Sequence, residues 1–369
     1  MSLKRIVIKI GTNVLQQENG KLDYKLISEL TSQISRIRSN GHEVLLVSSG
    51  AVGAGRELCS IDESGNILAS HQILASVGQP KLIQIYSDSF MKHKTNVAQI
   101  LLTRGDFGLR KSYLNIRNTL ENLLKYRIVP IVNENDVVAT EELDLNFGDN
   151  DLLAVYLATL IGADQLFFLT VAPGLLKKEK TAQGIQSKVV EKVEKFSEDI
   201  LKHCLPFTSA SGKGGMESKV RSAGMAMSFG IDTYIIDGKF PEGVYEIMEG
   251  RTLGTHFVAH GRKIRSYQKW LAAGALNKGT LIIDQGAEQA LLKNKKSLLA
   301  RGVERVEGQF EDKDLVEIHN LEGEKLGVGR ADCSAKVLRS QIKERNLTNS
   351  EENTRSGKPV IHRNHLFLE

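Results

Sequence analysis

The sequence has little cysteine, tryptophan and proline and no long apolar run, and these absences exclude several classes of protein. It contains three cysteines, one tryptophan and six prolines in 369 residues. Cys59, Cys204 and Cys333 stand far apart, without Cys-x-x-Cys or zinc-ligand spacing, so we expect neither a disulfide framework nor a structural zinc. No apolar run approaches the roughly 20 residues of a membrane helix. A strand-like segment near Arg5 leaves no room for a signal peptide, so we expect a cytoplasmic protein.

Length and composition predict an ordinary globular protein with more than one domain. A chain of 369 residues exceeds the usual size of a single core. The hydrophobic fraction of 41% and the charged fraction of 25% are typical of folded proteins. The formal net charge of +5 is compatible with binding anions such as nucleotides, but it does not predict a nucleic-acid surface.

The first two-thirds of the chain alternates short apolar runs with helical patterns. The predicted strands are Ile6–Ile8, Val44–Val47, Val97–Leu102, Ile128–Val132, Leu166–Leu169 and Thr233–Ile236. Apolar residues recur at helical spacing at Ile27, Leu30, Ile34 and Ile37, and again at Ile116, Leu120, Leu123 and Leu124. Continuous apolar strands separated by helices predict an α/β fold, an open αβα sandwich around a mostly parallel sheet.

The last third predicts a small β-rich domain. Short strands with tight glycine turns are predicted at Gly279–Asp284, Leu315–His319 and Leu326–Gly329. We expect a first domain over 1–262, a linker over 263–277 and a second domain over 278–369. The polar stretch 346–358 is expected to be a loop, and 359–362 a final strand.

Two glycine-containing motifs follow the first two predicted strands. Lys9 lies inside an apolar strand, where an ammonium is costly to bury unless an anion meets it, and Gly11 lets the backbone approach a ligand. An edge-strand lysine that reaches solvent is the alternative. The small residues of Ser48–Arg56 free backbone N–H groups at a helix start, where anions are favoured, although this is not a Walker A loop. A simple tight turn explains that segment equally well.

Two polar motifs come later. Asn133–Asp136 directly follows a predicted strand, and its side chains are suited to bind an ammonium together with carboxylates; an Asx-rich turn is the alternative. Gly148–Asp151 opens a predicted helix. One acidic residue there is explained by capping alone, but two aspartates on either side of Asn150 exceed that need.

The most specific motif is Gly212–Lys219, at the start of a predicted helix. Glycines and lysines at a helix N-terminus form an anion site, because N–H groups, the helix dipole and ammonium charge converge there. A flexible glycine loop would not explain a lysine in the first turn. Since ligands of open α/β sheets bind at the carboxyl ends of strands, these motifs predict one shared site. Separated lysines, glycine loops and aspartates suit phosphoryl transfer, which depends on positioning and charge neutralisation.

In order and spacing the motifs resemble those of the glutamate 5-kinases, which belong to the amino acid kinase superfamily. The matching segments are Lys9–Thr12, Ser48–Ala51, Ala54–Glu57, Asn133–Asp136, Gly148–Asp151 and Gly214–Met216 with Lys219. The second domain resembles a PUA domain at Ile283–Ala287, Ser297–Leu299, Gly302–Val303 and Gly327–Arg330. The resemblance covers nearly the whole chain.

The resemblance implies the reaction: ATP-dependent phosphorylation of the side-chain carboxylate of L-glutamate to L-glutamyl 5-phosphate, the first step of proline biosynthesis. It implies catalytic roles for Lys9, Lys219, Asp149 and Asp151, with the lysines flanking the transferring phosphoryl group. The implied glutamate-binding residues are Ser49, Asn133, Asp136 and Asn150. The implied ATP-binding residues are Lys9, Gly11, Thr170, Val171, Lys213, Gly214, Gly215, Met216, Glu217, Ser218 and Lys219. Mg²⁺ would lie on the phosphates, with no metal site of the protein's own. The glutamate side chain has a reference pKa of about 4.3, so it is an ionised nucleophile at neutral pH and needs no general base.

Two positions depart from the family pattern. Val171 follows Thr170 where related enzymes usually carry aspartate, and Lys213 stands where a small polar residue is usual. Both lie on the expected nucleotide side, so nucleotide contacts are expected to differ there, while the phosphoryl-transfer lysines are kept.

Three other functions remain as alternatives. The first is a related kinase acting on acetylglutamate, aspartate or a nucleoside monophosphate. The second is an RNA-binding protein, because PUA domains occur mainly in such proteins. Against it, the basic cluster Lys293–Lys296 is followed closely by acidic residues, as on a solvated face, so nucleic acid is not an expected partner. The third is an inactive regulatory subunit, which the presence of Lys9, Asp151 and Lys219 disfavours.

Family membership alone implies two further properties. Proline, the end product of the pathway, is expected to inhibit the enzyme. The chain is expected to form a homo-oligomer, a dimer or tetramer, through its kinase domain.

Overall fold

The computed structural model describes residues 3–61, 66–108, 110–138, 150–181, 184–204, 215–259, 278–348 and 358–368. The chain divides into two compact units: Met1–Thr103 with Leu114–Lys263, and Arg104–Tyr113 with Ile264–Glu369. The segment 263–277, predicted to be a linker, lies outside the described residues.

The first unit is built on an eight-stranded sheet with the strand order β3-β4-β2-β1-β5-β9-β10-β8. The strands are β1 (Arg5–Ile10), β2 (Glu43–Ser48), β3 (Val97–Leu102), β4 (Val129–Glu134), β5 (Gln165–Thr170), β8 (Lys192–Val193), β9 (Asp232–Asp237) and β10 (Thr255–Phe257), while β6 (Leu176–Thr181) and β7 (Gly184–Val189) form a separate hairpin. All neighbouring strands in the sheet run parallel except β9 and β10. The predicted α/β class with a mostly parallel sheet is confirmed.

Ten helices are described in the chain up to residue 259. They are α1 (Thr12–Leu15), α2 (Tyr24–Ser39), α3 (Ala51–Leu58), α4 (Ile67–Met91), α5 (Arg104–Gly108), α6 (Arg110–Lys125), α7 (Asn150–Ile161), α8 (Glu198–Leu201), α9 (Met216–Ser228) and α10 (Gly243–Met248). The apolar faces predicted near Ile27 and Leu120 lie in α2 and α6, and both residues are fully buried. No described helix is long and apolar enough to cross a bilayer.

The strands at the centre of the sheet explain why the site motifs meet. In β1, every residue after Arg5 is buried, and Lys9 is the single charged residue among them. The register places Ile10 beside Ser48 of β2 and Leu169 of β5, and Val47 beside Val132 of β4. The carboxyl ends of these four parallel strands therefore lie along one edge of the sheet, which the polar motifs follow.

The second unit contains a five-stranded sheet with the order β12-β11-β13-β14-β15, in which only β11 and β13 are parallel. Its strands are β11 (Gly279–Ile283), β12 (Val303–Gly308), β13 (Leu315–His319), β14 (Lys325–Arg330) and β15 (Leu366–Leu368), and the α-helices described after residue 277 are α11 (Gln285–Leu292) and α12 (Ala335–Thr348). Apolar residues of β11, β13 and α12 share one core. A β-rich second domain was predicted, and the sheet confirms it.

Two details of the second unit differ from the prediction. Helix α12 continues to Thr348, so the loop predicted over 346–358 is wrong at its start; residues 349–357 lie outside the described part. Ala335 and Leu338, one turn apart, are fully buried, and this packing rather than composition sets the helix. In the predicted strand 359–362, Ile361 makes only an isolated bridge to Leu298, and the final strand forms later, at β15.

Arg127 is one of four described residues other than glycine that have a left-handed backbone. Helix α6 ends with N–H bonds from Arg127 to the carbonyl of Leu124 and from Ile128 to that of Leu123, the pattern of a Schellman motif. Arg127 occupies the left-handed position of this motif, with φ 59°. Glycine is usual there, and a residue with a Cβ costs about 1 kcal/mol more.

Helices α3 and α4 pack with their backbones in direct contact. A Cβ atom on Gly78 would lie 1.8 Å from the carbonyl oxygen of Ala51, and one on Gly55 would lie 2.0 Å from that of Leu74. Because α3 begins in the Ser48–Arg56 motif, this contact fixes the helix that supports the motif. Only glycine permits such an approach at these two positions.

We predict that Gly78→Ala lowers the stability of the first unit by about 2–3 kcal/mol, because the added methyl group forces two helices apart. The measurement is the thermal unfolding midpoint, compared with Val77→Ala on the exposed side of the same helix. Equal midpoints for the two variants would contradict the described packing.

Candidate active site

Asp151 binds two lysines that are far from it in sequence. Lys9 Nζ lies 2.6 Å from Asp151 Oδ1, and Lys219 Nζ lies 3.1 Å from Asp151 Oδ2. Relative exposures are 4% for Lys9, 0% for Asp151 and 5% for Lys219. The two lysines that the sequence placed in separate motifs therefore belong to one buried cluster.

Three elements of the sheet and its covering helices bring these side chains together. Lys9 comes from the central strand β1, Asp151 from the first turn of α7, and Lys219 from the first turn of α9. The amino-terminal ends of α7 and α9 carry positive dipole charge, which favours the carboxylate and disfavours an ammonium. The ion pair with Asp151 offsets the unfavourable position of Lys219.

The charges of the cluster are coupled through Asp151. Burial alone would raise the pKa of Asp151, but the ammonium groups of Lys9 and Lys219 outweigh it and hold that pKa below its ordinary value. The ionised carboxylate is therefore shared by two ammonium groups. Burying charge is expensive, so a cluster of this kind is more typical of a functional site than of a stabilising one.

Beside the lysine cluster, Asn150 joins two of the other predicted motifs. Its Nδ2 donates to Ser49 Oγ at 2.9 Å and to Asn133 Oδ1 at 3.0 Å. Asn150 Oδ1 is buried and accepts no hydrogen bond from any side chain or backbone group in the described ranges. A buried acceptor without a donor is costly, and a ligand that carries an ammonium or hydroxyl group would satisfy it.

Glycines shape the space around these side chains. Gly50 begins α3 with φ 109°, a left-handed conformation that permits the sharp turn out of β2. Gly11 N donates to the carbonyl of Leu169 at 3.3 Å, and this bond joins the ends of β1 and β5. Gly215, at the start of α9, has no atom of the described residues within 4 Å of where a Cβ would lie.

The remaining predicted residues occupy three places. Asp136 lies in the turn after β4 and is partly buried. Thr170 ends β5, and Val171 after it is 54% exposed. Met216, Glu217 and Ser218 form the first turn of α9 with Lys219. Asp149, Lys213 and Gly214 lie outside the described residues.

Two supporting contacts were not predicted from the sequence. The first is a buried hydroxyl pair, Ser48 Oγ and Tyr86 Oη, 2.8 Å apart, in which Ser48 also donates to the carbonyl of Ser49. Burial raises the pKa of Tyr86 to about 12. Through this pair α4 orients the residue that Asn150 contacts. A tyrosine within an apolar helix carries no local signal of such a role.

The second is Lys239, in the loop after β9. Its ammonium donates to the backbone carbonyls of Val14 and Gln16, both at 2.8 Å. These carbonyls lie at the carboxyl end of α1, where a cation is favoured. Since α1 begins just after Gly11, Lys239 positions the backbone that follows β1, the strand that carries Lys9.

The described residues around Asp151 do not form a metal site by themselves. Over the described ranges, no three His, Cys, Asp or Glu side chains converge as metal ligands would. Both carboxylate oxygens of Asp151 face ammonium groups. Among the described residues, a divalent cation at this site would therefore find no set of carboxylate ligands that is not already paired with lysine.

Two family models match separate parts of the chain. The model of the amino acid kinase family matches residues 4–237, and that of the PUA domain matches residues 279–349. Similar proteins include the glutamate 5-kinase of Caldanaerobacter subterraneus subsp. tengcongensis, 40% identical over 90% of this chain and 89% of its own. The glutamate 5-kinase of Dehalococcoides mccartyi is 39% identical over 99% of this chain and 98% of its own, and that of Chlorobaculum tepidum is 40% identical over 99% and 97%.

Both the family model over the first unit and the similarity along nearly the full length agree with the motifs that meet at Asp151. The chain belongs to the glutamate 5-kinase group of the amino acid kinase family and carries a PUA domain.

Proposed function

We propose that the protein transfers the terminal phosphoryl group of ATP to the side-chain carboxylate of L-glutamate, giving L-glutamyl 5-phosphate and ADP. The observation that carries this proposal is the meeting of Lys9 and Lys219 on Asp151, directly beside the amide of Asn150. The two lysines are suited to bind a phosphoryl group, and the amide of Asn150 is suited to bind an amino acid. The reaction is the first step of proline biosynthesis.

The acceptor is bound by polar groups at the ends of β2 and β4 and at the start of α7. Asn150 Oδ1 accepts a hydrogen bond from the ammonium of glutamate, and Ser49, Asn133 and Asp136 complete the site. The side-chain carboxylate is ionised at neutral pH, so no proton has to be removed. Its oxygen forms a bond to the terminal phosphorus while the bond from phosphorus to the bridging oxygen breaks, and ADP leaves with the electron pair.

The lysines act on the charge of the phosphoryl group. Lys9 and Lys219 approach it from two sides, and their ammonium groups offset the negative charge of the equatorial and bridging oxygens. Asp151 fixes both ammonium groups before the substrates arrive, so little reorganisation is needed during the reaction. The family resemblance gives Asp149 the same proposed role, to hold the two lysines.

ATP is bound at the start of α9 and the end of β5. The residues proposed for it are Lys9, Gly11, Thr170, Val171 and each residue from Lys213 to Lys219. Mg²⁺ bound to the phosphates of ATP would further neutralise their charge. The absence of an acidic residue at position 171 alters the nucleotide contacts without touching the lysine cluster.

Three finer properties are proposed on family grounds. The protein works in the cytoplasm, it is inhibited by proline, and it assembles into a dimer or tetramer through the kinase domain. A proline titration that leaves activity unchanged would exclude the second, and a monomer mass in light scattering would exclude the third.

The reaction itself is tested by trapping its product. With purified protein, ATP, Mg²⁺ and hydroxylamine, we expect hydroxamate to form with L-glutamate and not with acetylglutamate, aspartate or a nucleoside monophosphate. The parallel measurement is the release of ADP. Hydroxamate or ADP formed with another acceptor and not with glutamate would assign the protein a different substrate.

We predict that Lys219→Ala folds normally but loses about 100-fold or more of kcat, since one of the two charge-stabilising groups is removed. Asp151 keeps Lys9 as a partner in this variant, so its charge is not left unpaired. Lys195→Ala, which removes an exposed lysine, serves as the control and should retain full activity. Near-normal turnover of Lys219→Ala would rule out the assigned role.

A second variant separates acceptor binding from phosphoryl transfer. Asn150→Ala should raise the KM for glutamate by about tenfold or more, because a buried hydrogen-bonding amide is lost, while the KM for ATP changes little. Asn122→Ala, an exposed amide on α6, is the matched control. A rise in the KM for ATP alone would place Asn150 on the nucleotide side and contradict the proposal.

A further inference from the structure

A solvent-accessible cavity of about 150 Å³ lies in the first unit at the amino-terminal ends of β2 and β4. The parallel strands run from this edge toward the lysine cluster, so the cavity and the candidate active site lie at opposite ends of the same strands. The charged and titratable side chains that line it are Arg38, His42, Glu43, Lys125 and Arg127. No part of the proposed reaction uses them.

Two arginines at the cavity are joined by reciprocal hydrogen bonds. Arg38 donates from Nη2 to the carbonyl oxygen of Arg127, and Arg127 donates from Nη2 to the carbonyl oxygen of Arg38 at 2.8 Å. Arg38 Nη1 also donates to Thr95 Oγ1 at 2.7 Å. These bonds fix two guanidinium groups close to each other without using all of their N–H donors.

The two positive charges repel each other in this arrangement. Burial lowers the pKa of Arg38, and the charge of Arg127 lowers it further. Within the described ranges neither guanidinium forms an ion pair with a carboxylate. Lys125 adds a third cation to the lining. An anion in the cavity would offset a repulsion that the protein itself leaves in place.

The other two titratable residues of the lining, Glu43 and His42, are compatible with a bound anion. Glu43 is the acidic residue of the lining, and its carboxylate is paired with Arg5 Nε at 2.6 Å. His42 Nδ1 accepts from the backbone N–H of Lys4 at 3.1 Å, and burial lowers the pKa of the imidazole. The ring is therefore neutral with its proton on Nε2, which makes it a donor.

The backbone at Arg127 gives an independent argument. This residue holds the left-handed position at the end of α6, which glycine occupies without strain. The Schellman bonds of that turn use only backbone groups, so the helix end does not require an arginine side chain. A strained residue that contributes a fixed charge to a cavity is typical of a binding site.

We propose that this cavity is a second anion site that binds a phosphate group, either the free ion or a phosphomonoester. Guanidinium groups match the tetrahedral oxyanion because their planar N–H pairs reach two oxygens at once. A water molecule occupies about 30 Å³ of liquid, so the volume admits a phosphate group together with a small part of the molecule that bears it. Arg38, Arg127 and Lys125 supply the charge, and His42 supplies a neutral donor.

The test is isothermal titration calorimetry with inorganic phosphate and, separately, glycerol phosphate. A non-hydrolysable ATP analogue with Mg²⁺ is kept at saturation so that the lysine cluster is occupied. The variant Arg127→Gly removes the guanidinium and relieves the strained backbone, so its thermal midpoint without phosphate should equal or exceed that of the wild type. Lys295 is also an exposed cationic residue with positive φ (49°). Lys295→Gly is therefore the matched control for lost charge and relieved strain.

We expect one equivalent of phosphate to bind to the wild type and to Lys295→Gly. The affinity of Arg127→Gly for phosphate should be lower than that of the wild type by about tenfold or more. Lys125→Gln should weaken binding by about threefold, as expected for an exposed charge. Binding of glycerol phosphate would identify the ligand class as a phosphomonoester, and binding of phosphate alone would identify the free ion; either supports the site. The proposal is overturned if Arg127→Gly binds phosphate as tightly as the wild type, or if no protein binds either probe.

Discussion

The contact of Asp151 with two lysine ammonium groups is the constraint on which the candidate site depends. A carboxylate and two ammonium groups are stable in a buried position only if all three are held within ion-pair distance. β1, α7 and α9 must therefore keep their relative positions. Helix α7 packs on α9 and β1, and fully buried apolar residues such as Leu157 of α7 and Val220 of α9 hold these helices in place. The two ammonium groups that Asp151 holds are also the groups proposed to bind the phosphoryl group, so the stability requirement and the proposed function rest on the same contacts.

Much of this arrangement was predictable because the strong signals are local. The apolar runs of β1, β2 and β5 predicted the parallel sheet, and the polar and glycine motifs predicted one shared site for Lys9, Asn150, Asp151 and Lys219. Strand ends in a parallel sheet share an edge, so a pattern read along the chain predicts proximity in space. The class of the reaction followed from the residue types, and its acceptor from resemblance to a family.

The parts that were not predicted depend on tertiary packing. Tyr86 contacts Ser48 across two elements, and Lys239 reaches the end of α1 from a loop more than 200 positions later in the sequence. Neither residue stands in a distinctive local pattern. The start of the segment predicted as a C-terminal loop is helical because Ala335 and Leu338 pack into the second core, although the following residues are polar. Long-range partners of this kind leave no periodic trace in a sequence.

Asn150 and Asp151 are adjacent in one helical turn, yet their side chains have different partners: Asn150 donates to Ser49 and Asn133, and Asp151 pairs with Lys9 and Lys219. Consecutive residues of an α-helix advance by about 1.5 Å along its axis, a step set by bond lengths and dihedral angles. The start of α7 therefore fixes the distance between the two groups of side chains. Under the proposed reaction, a movement of α7 as a body would shift the acceptor site and the lysine pair together and keep the distance between them.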